Sequence, residues 1–146
     1  MKKFINIFIA LTSSLIIVFT IACTTYPQIE KTLTDNDYEV STNTPTANAI
    51  YNESKSESNG LKIHTFYNAK TLTYVYVIEA NSMQAILALI DDSNTIRSLA
   101  SDVGATGSAE QVFNILNQNG LVKKNCFILA GGLDALSAYK IIREIK

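Results

Sequence analysis

The sequence predicts an α+β fold, a small antiparallel sheet with helices packed on one face. Two adjacent runs, "LKIHTFY" at 61–67 and "LTYVYVIEA" at 72–80, alternate as strands do and are separated by the short turn "NAKT". Beyond them the apolar period lengthens from two to three and four, which is the spacing of amphipathic helices. One more strand-like run, "KKNCFILAGG", then precedes a last helical stretch.

Each element has its own warrant. In the first run Leu61, Ile63, Thr65 and Tyr67 share a face. In the second both faces are apolar, Leu72/Tyr74/Tyr76/Ile78 and Thr73/Val75/Val77/Glu79, so this strand is expected at the centre of its sheet, hairpinned to the first. Asn81, with Gln84 three residues on, reads as a helix N-cap, followed by the stripe Met83, Ile86, Leu87 and Ile90. The segment 95–100 fits helix or strand equally. Ser108 caps a helix with Val112, Phe113 and Leu116 inward, and Gly120 stops it. Asp134 caps the last helix, whose inner face is Leu136, Tyr139, Ile142 and Ile145. Lys140, Arg143 and Lys146 suit the negative end of its dipole.

Ahead of these elements, residues 1–22 read as a signal peptide, 23–37 as a tether with a short helical piece near 28–33, and 38–146 as one domain. The short "DYEV" suggests an edge strand, and the polar run 41–60 a long mobile loop. The full chain carries a net charge of −1 and no Lys/Arg cluster larger than a pair such as Lys123–Lys124, so it lacks the electrostatic footprint of a nucleic-acid binder.

The leader is more specific. Lys2 and Lys3 precede the uncharged run Phe4–Ala22, which closes in Thr20-Ile21-Ala22-Cys23 and turns polar at Thr24. This resembles the lipobox of bacterial lipoproteins, although Thr20 stands where that family usually places Leu, Val or Ile. The resemblance implies a diacylglyceryl group on Cys23, cleavage before it and acylation of the new amine, giving a membrane-anchored, extracytoplasmic protein of the cell envelope. Membrane lipid is then its first partner, through acylated Cys23, and an envelope protein or a small ligand the second. An uncleaved anchor helix is the other reading, since nineteen residues span about 28 Å, close to a bilayer core.

Candidate chemistry is sparse, and no catalytic, cofactor-binding or metal-ligating residue is assigned. The glycines and Ser108 of "GATGSAEQVF" form neither a Walker loop nor a dinucleotide fingerprint and read as loop and cap. His64 is the one histidine, too few for a zinc site and without a nearby nucleophile. Asp91 and Asp92 read as a solvated helix end. Cys126 lies in an apolar strand and reads as a small core residue. Tyr67, Tyr74 and Tyr76 suit packing under helices more than a binding surface. The tail from Ser108 to Ile142 resembles the end of rhodanese domains. The family's cysteine loop corresponds here to 101–107, which has no cysteine, so the resemblance implies a catalytically inactive domain. The non-catalytic reading thus stands against one in which an enzyme site is not visible in the sequence.

Overall fold

The computed structural model describes residues 25–54 and 60–146, so the expected signal peptide, Cys23 and residues 55–59 of the polar run lie outside the described residues. The elements run α1 (Thr25–Asp35), β1 (Glu39–Ser41), α2 (Pro45–Glu53), β2 (Lys62–Asn68), β3 (Thr73–Glu79), α3 (Met83–Asp92), α4 (Asn94–Ser101), α5 (Ala109–Gln118), β4 (Val122–Lys123), β5 (Cys126–Gly132) and α6 (Ala135–Glu144). The class is α+β. The sheet has the order β1-β2-β3-β5-β4, and every neighbouring pair is antiparallel.

The expected hairpin is β2–β3, paired from Lys62↔Glu79 to Asn68↔Thr73. Its turn is closed by Asn68, whose side-chain oxygen accepts from the backbone N–H of Lys70 and of Thr71. β3 is central, and "DYEV" supplies the edge strand β1. The run read as one strand, "KKNCFILAGG", is two: β4 and β5 fold back on each other through Lys124 and Asn125, with Lys124 at φ 55°.

Helices cover both faces of the sheet, not the expected single face. Alternation places His64, Phe66, Val75, Val77, Cys126 and Ile128 on one side and Thr65, Tyr76, Ile78, Phe127 and Leu129 on the other. On the first side α1 stacks Tyr26 on His64, and α6 packs against α1, β3 and β5. On the second, Leu99 of α4 lies over Gly131, with α2, α3 and α5 beside it. This explains why Cys126–Ala130 is buried without interruption: a strand covered on both faces shows no polar alternation.

The expected tether is a docked helix. Thr25, Ile29 and Leu33 recur every fourth residue and are all buried, the two aliphatic side chains completely. The expected loop 41–60 also contains a helix, α2. Thr44 caps it by accepting from Ala47 N, Pro45 fits its first turn, and Ala47 and Ile50 are buried. The ambiguous segment is the helix α4.

Two helical stripes are rotated from their expected positions. In α3 the cap is Ser82, not Asn81, and the buried set is Ala85, Ile86, Leu89 and Ile90, while Met83 is half exposed. In α6 the buried set is Ala138, Tyr139 and Ile142, with Ile145 just beyond, while Leu136 is exposed. In both, an alanine fills the close contact and a larger residue is left outside. Ser108, Asp134 and the inward Val112, Phe113 and Leu116 stand as expected.

Candidate functional site

The side chains brought together most closely are Tyr26, His64 and Glu79. His64 lies opposite Val77, so Glu79, two residues along β3, is its diagonal neighbour on the same face. Their Nε2 and Oε2 atoms are 2.6 Å apart, and both side chains are largely covered. The Tyr26 ring stacks on the imidazole with centroids 3.8 Å apart and planes at 24°. Burial, then the charges of Glu30 and Glu79, push the Tyr26 phenol up to about 12.

An imidazole oriented by a carboxylate is two parts of a general-base system. The third part would be a nucleophile, and Cys126 lies opposite Glu79 on β5. It is completely buried, and burial together with the Glu79 charge pushes its thiol up to about 12. A thiol so protonated and enclosed is neither a nucleophile nor a ready metal ligand. What the cluster does geometrically is hold the start of α1 against the sheet. Cys126 should accordingly react with a thiol reagent slowly in the folded protein and rapidly in denaturant. Fast labelling of the folded form would show that β5 is open.

A second polar cluster fixes α2. The Glu53 carboxylate accepts from the Ser93 hydroxyl at 2.6 Å, from Thr95 N at 3.0 Å and from the Thr95 hydroxyl at 3.0 Å. Ser93 in turn caps α4 by accepting from Ile96 N. The Ser93 hydrogen bond first, then those from Thr95, hold the Glu53 carboxyl below its usual range. All these groups are committed to helix ends.

The remaining sequence candidates make contacts within the fold. Ser108 and Gln111 form a reciprocal capping box, so the Ser108 backbone N–H already donates to Gln111 Oε1. The loop before it is held by Arg97, which donates to Gly107 O at 2.8 Å and pairs with Asp91 at 2.6 Å. Asp134 caps α6 through Ser137 N. Tyr76 is buried, whereas Tyr67 and Tyr74 are half-buried with rings 4.5 Å apart. Among the described residues, no group of three or more His, Cys, Asp or Glu side chains is placed to hold a metal ion, and no helix is long and apolar enough to cross a membrane.

Two surface features of the described residues bear on a contact role. A shallow cleft of about 300 Å³ opens at the end of the sheet where β3 finishes and β5 begins, between Ala80, Met83, Ile86, Phe113 and Asn125. At the opposite end Leu72, Leu133 and Leu136 are exposed around the Gly131–Gly132 turn. Comparison with protein-family models, with curated proteins and with solved structures found no match to the chain.

Proposed function

We propose that this chain is a bacterial lipoprotein, anchored through acyl groups on Cys23, whose domain binds another envelope component or a ligand outside the cytoplasm without catalysing a reaction. The leader carries this reading: a dibasic start, an uncharged run and a cysteine at the point where the chain turns polar. Several acyl chains on one cysteine give stable membrane attachment where a single chain is marginal. The contact role is supported by the exposed Leu72, Leu133 and Leu136, which give one end of the sheet apolar area of the kind used in protein contacts.

Cys23→Ser is expected to abolish incorporation of labelled fatty acid and to leave an unprocessed precursor in the membrane. Labelling that persists in this variant would overturn the proposal, because the other thiol, Cys126, is buried. A wild-type protein that carries no fatty acid and keeps Met1 would establish the uncleaved anchor instead.

A further inference from the structure

We infer that the end of the sheet bearing Lys62, Met83 and Lys124 rests on the phospholipid headgroups, so that the exposed leucines at the opposite end point away from the membrane. This rests on acylation of Cys23. Cys23 precedes the first residue of α1 by two positions, and two residues of chain reach at most about 7 Å. The helix is part of the domain from its first turn. Thr25 is buried, Tyr26 is stacked on His64, and Ile29 and Leu33 are inaccessible to solvent. An anchor at Cys23 therefore leaves no slack between lipid and domain.

The direction follows from the strands. α1 starts beside His64 and Glu79, at one end of the sheet, and finishes at the other, where Asn36 O accepts from the Asn68 side chain and Asp37 pairs with Lys70. Tethered at its start, the domain presents to the bilayer the end where β2 begins, β3 finishes and β4 turns into β5. Lys62 is exposed there, suited to anionic headgroups, Lys124 stands at the β4–β5 turn, and half-exposed Met83 lies beside the cleft at the start of α3. Glu79, on β3 at that end, is engaged by His64, while Glu144 at the end of α6 is exposed beside Arg143 and Lys146. Seven-residue strands separate the two ends by roughly 20 Å. That separation distinguishes headgroup contact from solvent.

The test uses the acylated full chain in vesicles of phosphatidylglycerol and phosphatidylethanolamine, some carrying a nitroxide on the headgroup. A fluorophore is placed on Met83→Cys or on Leu136→Cys, and buried Cys126 does not compete for the label. Quenching is expected to be severalfold stronger at 83 than at 136. Gln84→Cys, exposed on the same helix, provides a second probe if Met83→Cys melts early. Equal quenching at the two ends, or stronger quenching at 136, would overturn the orientation while leaving the lipoprotein reading intact, provided that mass spectrometry of the same sample finds the acyl groups. Absence of those groups would overturn both.

Discussion

Replacing Leu33 by alanine is expected to destabilise the domain by about 2–5 kcal/mol, the usual cost of emptying a filled aliphatic site. Leu33 is wholly inaccessible, one turn beyond the equally buried Ile29, on a helix that packs against α6. Lys31→Ala on the same helix gives up only an exposed ion pair with Asp35 and is expected to cost less than about 0.5 kcal/mol. Denaturant midpoints of the two variants, compared with the parent chain, decide the matter. A Leu33→Ala midpoint unmoved from that of the parent would mean that residues 25–35 are a tether after all, and the membrane orientation would lose its basis.

That helix marks the limit of what was legible in the sequence. Three apolar side chains in eleven residues, Tyr26, Ile29 and Leu33, give a weak periodic signal among Thr, Gln, Lys and Glu. Short helices of this kind owe their stability to a partner surface more than to their own propensity. The partner is α6, more than one hundred positions later, and sequence pattern alone does not reveal it. The same holds for α2. Its Ser, Asn and Thr neighbours advertise turns, yet Thr44 and Pro45 form a sound helix start, and Glu53 binds the cap of α4 some forty residues away. The Thr-Pro pair was the available signal.

The hairpin was legible because its evidence is local. β-Branched and aromatic residues alternate on both sides of a turn whose Asn68 closes it. Once that register is drawn, His64 and Glu79 become diagonal neighbours, so their pairing was within reach of the sequence, whereas the Tyr26 stack depended on the unrecognised helix. Placement of the helices on two faces was harder. The uninterrupted apolar run of β5 was the clue, since a strand with one face in water alternates. The rotated stripes of α3 and α6 share one cause: Ala85 and Ala138 carry little hydrophobic weight, so a pattern weighted by size shifts toward Met83 and Leu136.

Gly132→Ala is expected to cost on the order of 4 kcal/mol, among the larger effects of a single substitution. Gly132 has φ 111°, a backbone conformation that side chains rarely adopt. A Cβ there would lie 2.3 Å from Leu72 O and 3.0 Å from Thr73 Cα, and both are backbone atoms of the adjoining chain. The strand ends would have to separate, with loss of the hydrogen bond from Leu133 N to Leu72 O and of the one from Asp134 N to Thr73 Oγ1. Gly104 separates the two contributions, because it also has positive φ, 77°, but a Cβ there meets nothing within 4 Å. Gly104→Ala should therefore cost only the conformational part, about 1–2 kcal/mol. Equal melting shifts for the two variants would mean that the β3 and β5 ends give way freely. A shift at Gly132 well beyond that at Gly104 would show that the close approach of the β3 and β5 ends resists separation.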